Sequence, residues 1–583
     1  MRVERRADGS IVVTPVTALA PFQPNLPAEL TRHARLLRDK TYMAERAGRG
    51  GPWMRHSYAA MKRDSDAVAQ WLLNQRIAPG RSLLILSGNS IAHAAMKYGA
   101  MSAHLPVCPV SINYSLMSQD FGRLRHVISL IRPAIVFAQQ ARVFKRALEQ
   151  VDFGDALVIT DDPVVLQRAA VSLKSVLATT ANDAVEQSIG RLDPDAPTAY
   201  MLTSGSTGLP KAVIQTQRMI TSNLAQARQV LGETAGWGDV MLDWLPWSHV
   251  SGAFTKMGVL TSGGTLYIDG GRPIANEFAE SLANLKEIAP AFYVNVPLGY
   301  AMLADALEQD ATLRQRFFGG VRLALYGGAG LPQALYDRLQ GLAVATIGQR
   351  IFFTTGYGAT ETASGCMAIY FSTEKVGIGL PMPGLTLKLV PIDSRYEVRL
   401  RGQMITPGYL NNQSANEGLF DTEGFYCTGD TAQFHDPQDI GAGLSFAGRL
   451  SEEFKLASGS WVSAGRLRTQ LLEACTPLLS DLLLCGESRD YLAALAWRSA
   501  AGKAAGTAIE SQLAELLRQF NAGRGVSERI ARMALLNEPP SIDAHEVSDK
   551  GTINQRISLA RRSRDVERLY ASRADSTVIV PNK

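Results

Sequence analysis

The sequence predicts an α/β protein with a large amino-terminal domain of helix-covered, mostly parallel sheets and a small α+β carboxy-terminal domain. The chain has 583 residues, which exceeds the size at which a single hydrophobic core stops growing. Helix and strand patterns alternate from about residue 57, as expected where helices connect parallel strands. The composition changes after a polar turn at 435–443. We therefore expect domains at 1–447 and 448–583.

The elements before residue 200 follow from the spacing of apolar residues. Steps of three and four residues predict one helix face, formed by Tyr58, Met61, Ser65, Val68 and Leu72. The Pro79-Gly80 pair ends this segment, and a second helical stretch starts at Ser90. Buried strands are predicted at 82–87, 134–138 and 156–160.

A loop rich in glycine and hydroxyl groups, TSGSTGLPKA, follows a predicted strand at 198–202. A short strand at 212–215 comes next, and Thr216 is placed to cap a helix. Glycine lets a ligand approach the main chain, while hydroxyls, amides and an ammonium group suit a polyphosphate. Ligands of α/β sheets bind beyond the carboxyl ends of strands. The loop is thus either a phosphate site or a flexible surface turn.

Spacing excludes three other motifs. Gly205, Gly208 and Lys211 do not have the spacing of a Walker loop. GYGATE at 356–361 lacks the third glycine of a dinucleotide fingerprint, and GNSIA at 88–92 lacks the closing glycine of a hydrolase elbow. A phosphate loop of another type remains.

Composition describes an ordinary globular protein. Hydrophobic residues make up 46% of the chain and charged residues 19%, with a net charge of +5. This charge gives no reason to expect nucleic acid or an anionic membrane as a partner. The five cysteines form no zinc motif, the start of the chain resembles no secretory signal, and no apolar run is long enough to span a bilayer. We expect a cytoplasmic protein.

Together with its neighbours, the loop resembles the signature of the adenylate-forming superfamily, which contains acyl-CoA synthetases, adenylation domains and beetle luciferases. The family pattern is an aromatic residue followed by TSGSTGxPKG, and this chain departs from it at Leu202 and Ala212. Five further motifs follow in the family order: DWLPWSHVSG (243–252), LYGGAGLP (325–332), TTGYGATET (354–362), GFYCTGD (424–430) and GRLSEEFKLASG (448–459).

The resemblance implies an ATP site. Glu361 is expected to bind Mg²⁺, which prefers oxygen ligands beside phosphates. Asp430 and Arg449 are expected to bind the ribose, with the Tyr357 ring against adenine. A glycine loop can offer amides to the phosphates without side-chain clashes. The other nucleotide contacts are expected at Thr203, Ser204, Gly205, Ser206, Thr207, Gly208, Lys211, Gly328, Ala329, Gly358 and Thr360.

The resemblance also implies an acyl site and a moving small domain. His249 is expected to position the substrate carboxylate, although an isolated histidine beside tryptophans is more often a core residue. The small domain is expected to be mobile, rotating about a hinge near 449–452. Lys455 is placed on the side that serves thioester formation.

The carboxy-terminal domain departs from the family pattern. Ser451 stands where members carry Asp or Lys, and Thr552 stands after Gly551 where members carry a catalytic lysine. That lysine has either moved to Lys550, which we adopt, or is absent. WVSAGRLR, DKGTINQR and PFQPNLP are similar to segments of bacterial feruloyl-CoA synthetases.

The resemblance therefore implies an ATP-dependent acid–CoA ligase with Mg²⁺ as cofactor and coenzyme A as cosubstrate. Its other substrate would be a small carboxylic acid, expected to be a phenylpropenoic acid such as ferulate. Two alternatives stay open. One is an adenylation enzyme that loads a separate carrier protein, and the other is a weakly catalytic protein that binds acyl groups or nucleotides.

Overall fold

The computed structural model describes residues 1–204, 209–232, 236–274, 276–541, 543–546, 553–573 and 577–581. Lys550, Gly205, Ser206, Thr207 and Gly208, all predicted site residues, lie outside this part of the chain. Within it, no helix is both long and apolar enough to cross a membrane.

Two seven-stranded sheets form the centre of the large domain. One has the strand order Pro210–Thr216, Pro197–Ser204, Val107–Pro109, Ser82–Ile85, Pro133–Ala138, Leu157–Thr160, Val171–Ser172. The other has the order Phe352–Thr355, Leu323–Tyr326, Phe292–Asn295, Val240–Asp243, Thr265–Ile268, Thr41–Arg46, Trp53–Ser57. Each sheet is parallel except for one pair at its edge. The predicted fold class is confirmed.

An antiparallel sheet completes the large domain, and the sequence analysis did not predict it. Its strands are Arg2–Arg5, Ile11–Thr14, Leu385–Ile392, Arg395–Gly402, Tyr426–Phe434 and Leu444–Arg449, in that order. A three-stranded sheet is formed by Tyr357–Gly358, Gly365–Ala368 and Leu380–Pro381, which directly precede the strand Leu385–Ile392 in the sequence.

The small domain combines a hairpin, Glu453–Lys455 with Trp461–Ser463, and a four-stranded mixed sheet. That sheet has the order Leu479–Cys485, Leu492–Arg498, Ile530–Leu536, Val578–Ile579. Its apolar core packs against two helices, through Leu467 and Leu471 of the first and Leu513 and Leu517 of the second.

The helices cover the sheets on both faces. They are Leu26–Leu36, Tyr58–Asn74, Ile91–Ser102, Asn113–Leu116, Gly122–Ile131, Ala141–Gln150, Leu173–Leu177, Asp183–Gly190, Gln217–Leu231, Val250–Ser262, Phe278–Glu287, Pro297–Gln309, Ala311–Gly320, Gln333–Ile347, Gln413–Asn416, Ala464–Ala474, Ala500–Ala504, Ile509–Asn521, Gln555–Arg561 and Ser563–Tyr570. One continuous core places helices between the two seven-stranded sheets, for example Met61, Met96 and Met257 against Leu83 and Leu266.

Side-chain caps start several of these helices, including three that the sequence analysis predicted. The predicted helix at 58–72 spans Tyr58–Asn74, and the Ser57 hydroxyl accepts from the Ala60 amide at 3.2 Å. Ser90 caps the helix Ile91–Ser102 in the same way, and Thr216 caps Gln217–Leu231 as predicted. Such caps satisfy amides that the first helical turn leaves without partners.

Candidate active site

The predicted phosphate loop connects the two strands of an antiparallel hairpin. Thr203 pairs with Lys211, and Ser204 pairs with Pro210, at the edge of the first seven-stranded sheet. The hairpin therefore brings the hydroxyl-bearing and lysine-bearing ends of the motif side by side. The Lys211 Nζ lies 4.8 Å from the centre of the Tyr409 ring, within the range of a cation–π contact.

Glu361 lies in a short 3-10 turn, Thr360–Thr362, and is buried. Its Oε1 accepts a hydrogen bond from the Tyr409 hydroxyl at 2.7 Å. The Gln215 side chain, on the second hairpin strand, donates to the Thr360 carbonyl at 3.1 Å. These contacts join the carboxylate expected to bind metal to the hairpin expected to bind phosphate.

Asp430 lies on the antiparallel sheet, and its carboxylate binds the side chains of Tyr357 and Arg449. Its Oδ2 accepts from the Tyr357 hydroxyl at 3.0 Å, and its Oδ1 accepts from the Arg449 Nε at 2.8 Å. Asp430 and Arg449 are also directly paired on neighbouring strands. Burial and then the Asp430 charge raise the pKa of Tyr357 well above its ordinary value, so the phenol stays protonated and can donate.

Tyr426 links the two groups of residues. Burial raises the pKa of the Tyr426 hydroxyl, and Glu361, Tyr409 and Asp430 raise it further. The charge of Arg449 lowers it. Tyr426 also lies in the same buried cluster as Tyr409, with Tyr357 packed against that cluster. The residues that bind Glu361 and Asp430 therefore pack together.

Gly328 and Ala329 follow the strand Leu323–Tyr326 and are exposed. That strand lies parallel to Phe352–Thr355, which precedes Tyr357. Gly328 has a φ of +79°, a conformation that glycine adopts without strain. Gly328 and Tyr357 therefore follow the carboxyl ends of two adjacent parallel strands.

His249 is buried and immediately precedes the helix Val250–Ser262. The loop that carries it is fixed by Asn89, which follows a strand of the other sheet. The Asn89 Oδ1 accepts from the Trp247 amide at 2.9 Å, and its Nδ2 donates to the Leu245 carbonyl at 2.9 Å. Asn89 therefore holds the His249 loop to the other half of the large domain.

The predicted hinge lies in a 3-10 turn, Leu450–Glu452, which is followed by the hairpin of the small domain. Arg395 of the large domain binds Glu453, with Nη2 and Oε2 2.5 Å apart. Lys455 is exposed, and its Nζ lies 4.7 Å from the centre of the Trp461 ring. The Lys455 side chain is thus directed along its own hairpin.

A second contact between the domains lies just before Lys550 in the sequence. Asp543 of the small domain binds Ser118 and Gln119, and the Arg123 Nε donates to the His545 Nδ1 at 3.0 Å. The next residue, Glu546, is fully buried and binds Arg562, with Oε1 and Nε 2.7 Å apart. We call residues 543–546 the docking segment, since it contacts both domains.

Comparison with known proteins places this geometry in a family. The sequence profile described as AMP-binding enzyme matches residues 30–410, and the profile of the AMP-binding enzyme C-terminal domain matches residues 454–574. The chain belongs to the AMP-binding enzyme family.

Curated relatives of this AMP-binding enzyme include several acid–CoA ligases. A long-chain-fatty-acid–CoA ligase of Mycobacterium bovis is 22% identical, and the match covers 95% of this chain and 99% of that protein. The 4-coumarate–CoA ligase 2 of Oryza sativa subsp. japonica is 31% identical over 43% of this chain and 44% of the relative. With the long-chain-fatty-acid–CoA ligase 2 of Schizosaccharomyces pombe, 26% identical, the match covers 51% of this chain and 50% of the relative. The chain therefore spans about half the length of the latter two.

The fold matches solved members. The adenylation domain of a carboxylate reductase from Mycobacterium chelonae superposes with a TM-score of 0.73 at 20% identity, covering 94% of this chain and 91% of that domain.

In this AMP-binding enzyme, the structure brings together two groups of the described residues that the sequence singled out. Lys211 and Glu361 both contact Tyr409, and Thr203 is the strand partner of Lys211. Tyr357 and Arg449 both bind Asp430. Among the described residues, no group of three His, Cys, Asp or Glu side chains could hold a metal by itself. Glu361 as a single ligand fits Mg²⁺, which usually takes one or two carboxylates plus phosphate oxygens.

Sequence reasoning missed Tyr409 and Asn89. Tyr409 belongs to no motif, and its place beside Glu361 depends on the pairing of Val213 with Tyr409 across the fold. The GNSIA segment drew attention only as a failed hydrolase motif. Asn89 lies between a buried strand and a capped helix. Because loop amides often bind backbone groups, this position was the available signal for its role.

Proposed function

We propose that this AMP-binding enzyme is an ATP-dependent acid–CoA ligase that forms an acyl-adenylate and then a CoA thioester. The observation that carries the proposal is the packing of Tyr409, which contacts Lys211 and Glu361, in the same cluster as Tyr357, which binds Asp430. It offers a cation, a carboxylate and a further buried carboxylate in one place. That set suits the phosphates, the metal ion and the ribose of one nucleotide.

In the first half-reaction, a carboxylate oxygen of the acid bonds to the α-phosphorus of ATP. The bond from that phosphorus to the oxygen bridging to the β-phosphate breaks, and pyrophosphate leaves. Lys211 and Thr203 are proposed to neutralise and orient the departing phosphates, a task of positioning and charge. Lys550 is proposed to bridge the carboxylate and the α-phosphate.

Glu361 is proposed to provide an oxygen ligand for Mg²⁺, with the Tyr409 hydroxyl orienting the other side of its carboxylate. When bound, this ion would neutralise phosphate charge. Asp430 is proposed to accept from the ribose hydroxyls, with Arg449 and Tyr357 fixing the orientation of its carboxylate.

In the second half-reaction, the sulfur of CoA bonds to the acyl carbon. The bond from that carbon to the AMP oxygen breaks, giving a thioester, AMP and a proton. We propose that the small domain, residues 448–583, rotates about 449–452 between the steps and that Lys455 serves the second. The contacts Arg395–Glu453 and Asp543–Ser118 would then belong to only one of the two arrangements.

The acid is proposed to be a hydroxycinnamic acid. Two features support this class over a saturated chain: the motif similarity to feruloyl-CoA synthetases and the 31% identity with a 4-coumarate–CoA ligase over 269 residues. Next to these two similarities, the His249 loop carries the half-buried Trp244, which is suited to packing against an aromatic ring.

Pyrophosphate release with ATP, Mg²⁺ and CoA tests the proposal, with ferulate, p-coumarate, benzoate and a medium-chain fatty acid as substrates. We expect turnover on the two hydroxycinnamates with a CoA thioester as product, and a loss of about 10²- to 10³-fold in Lys550→Ala. Turnover on the fatty acid alone would reject the substrate class. Pyrophosphate release without thioester would favour loading of a carrier protein, and nucleotide binding without turnover would favour a binding protein.

A further inference from the structure

A buried carboxylate closes the loop that carries His249. Asp243 is the last residue of its strand and is 3% exposed. Its Oδ1 accepts from the Leu245 amide at 3.1 Å, and its Oδ2 contacts the hydroxyl of Thr255. Thr255 lies on the helix Val250–Ser262 and is also buried. One carboxylate therefore joins the start of the loop to the helix that follows it.

The loop is tightly packed between these two contacts. The His249 amide donates to the Pro246 carbonyl at 3.0 Å. Gly252, on the first helical turn, lies so close to the loop that a Cβ placed there would be 2.3 Å from the Leu245 carbonyl oxygen. Only glycine permits backbone to approach this closely. Because close-packed interiors transmit strain, a change at Asp243 is expected to move His249.

The surroundings of Asp243 favour a neutral acid. Among the described residues, no cation forms an ion pair with Asp243. The titratable side chains that face it are Asp269, which follows the strand on one side, and Tyr293, from the strand on the other. Burial, with a smaller contribution from Asp269, raises the pKa of Asp243 to about 7, although hydrogen bonds from Thr255 and Leu245 oppose the shift.

The hydrogen bonds of Thr255 also favour the neutral acid. The Thr255 hydroxyl has one hydrogen and lies near two oxygens, the Asp243 Oδ2 and the Gly252 carbonyl oxygen at 3.0 Å. If Asp243 is ionised, that hydrogen reaches only one of the two acceptors. If Asp243 is protonated, its own hydrogen goes to Thr255, and the Thr255 hydrogen goes to Gly252. Only the neutral acid therefore provides a hydrogen for both contacts.

We propose that Asp243 is a positioning residue for His249 and that it acts as the neutral acid, donating from its carboxyl group to the Thr255 hydroxyl. The proposal rests on the proposed function, because His249 is taken to position the substrate carboxylate. Ionisation of Asp243 leaves a buried negative charge without a cation, which destabilises the ordered loop. The stabilisation is fully present below the ordinary pKa of about 4, declines as the pH rises, and is lost above about 7.

Asp243→Asn tests the proposal, since the amide keeps the shape of the neutral acid, accepts from Leu245, donates to Thr255 and does not titrate. The measurement is kcat/KM for p-coumarate, from pyrophosphate release between pH 6 and 9. We expect the two proteins to agree within about 3-fold at pH 6, and the wild type to fall at least about 5-fold relative to the variant by pH 9. The KM for ATP should stay within about 2-fold. A constant ratio, or a variant impaired at every pH, would overturn the proposal.

Other variants assign the effect to this carboxylate. Asp269→Asn removes the neighbouring charge, so the fall should move to lower pH. Asp243→Ala removes both contacts and should lower kcat/KM about 10²-fold at pH 6, as for a misplaced reacting group. If that variant does not fold by circular dichroism, Thr255→Val should lower kcat/KM at least about 5-fold. Asp239→Asn, at an exposed carboxylate directly before the same strand, is the control and should match the wild type at each pH. Wild-type kcat/KM in folded Asp243→Ala, or an unmoved fall in Asp269→Asn, would reject the proposal.

Failure of the ligase function gives a different result. If the wild type turns over no acid, amide hydrogen exchange of residues 244–255 without substrate still decides the question. Exchange in the wild type, divided by exchange in Asp243→Asn at the same pH, should rise at least about 5-fold from pH 5 to 8. The intrinsic effect of pH on exchange cancels in this ratio. Equal exchange in the two proteins at every pH would reject the role of Asp243, with or without ligase activity.

Discussion

Asp543 of the small domain accepts a hydrogen bond from the Ser118 hydroxyl of the large domain at 2.7 Å. The same carboxylate accepts from the Gln119 amide at 3.0 Å. An ionised acceptor between two domains gives an orientation-dependent contact, since both donors are lost when the domains separate. Because Asp543 precedes Lys550 by seven residues, this contact favours the arrangement in which that part of the small domain lies on the large domain.

Replacing Asp543 with alanine should therefore slow the first half-reaction. Losing hydrogen bonds to a charged group shifts the arrangement by about 1.5–3 kcal/mol, and we expect adenylate formation to fall about 10-fold or more. Thioester formation from supplied acyl-adenylate should stay within about 2-fold of the wild type. Glu510→Ala, at an exposed carboxylate of the same domain, is the control. Equal slowing of both half-reactions would contradict the expectation.

Acid pH should weaken the contact between the two domains by protonating His545, which accepts a hydrogen bond from Arg123. Burial and then the Arg123 charge lower the pKa of His545, with His126 acting in the same direction and Asp120 and Asp543 opposing. A lowered pKa means that docking favours the neutral ring, whose Nδ1 accepts from Arg123. Docking is therefore fully present above the ordinary pKa of about 6.5 and is lost progressively as the pH falls below it.

The measurement is the ratio of the two half-reaction rates between pH 5.5 and 8. The adenylation rate should decline below about pH 6.5 relative to the thioester rate. His545→Asn keeps an acceptor oxygen but does not titrate, so its ratio should be flat in this range. A variant ratio that follows the wild type would assign the pH dependence to another group.

Ser451→Pro should separate the half-reactions in the opposite direction. Ser451 lies in the 3-10 turn Leu450–Glu452, and proline fixes φ at about −65°. We expect adenylation within about 3-fold of the wild type and thioester formation reduced at least about 100-fold, as for a locked conformational step. Ser451→Ala is the matched control. Stopped-flow measurement of each step distinguishes this outcome from a general loss of activity.

Glu361 and Tyr409 should contribute unequally to the rate of adenylate formation. Glu361→Gln removes the charge proposed to bind Mg²⁺, and we expect kcat for adenylation to fall about 10²- to 10³-fold. Tyr409→Phe removes only the 2.7 Å hydrogen bond to that carboxylate, so a loss of about 5- to 10-fold is expected. Rates measured across a Mg²⁺ titration test this, since only the first variant should need much more Mg²⁺. Equal losses would place Glu361 in a structural role.

Local signals made much of this fold predictable, and long-range pairing explains the rest. The helices that begin at Tyr58, Ile91 and Gln217 follow from local sequence patterns, and Thr216 is predicted as a cap because it lies directly before its helix. The antiparallel sheet joins strands from the two ends of the large domain, and no local pattern specifies such partners.

The residues of the candidate site also fall into two groups, those that motifs predict and those that long-range packing brings together. Motifs predict that Asp430 and Arg449 share one site, and the two residues are paired on adjacent strands and hydrogen-bonded to each other. Tyr409 contacts Glu361 across a sequence separation of 48 residues, and Asn89 binds the Trp247 amide across a separation of 158 residues. Those contacts depend on how the sheets pack, which residue spacing does not reveal.

The edge of the antiparallel sheet has a consequence for synthesis of the chain. Ile11 pairs with Leu389, so the amino-terminal hairpin emerges from the ribosome several hundred residues before its partner strand. At roughly 5–20 residues per second, that interval lasts tens of seconds. Throughout this time the strand Ile11–Thr14 lacks the partner that covers its backbone groups in the fold, and unpaired strand backbone is open to association with other chains.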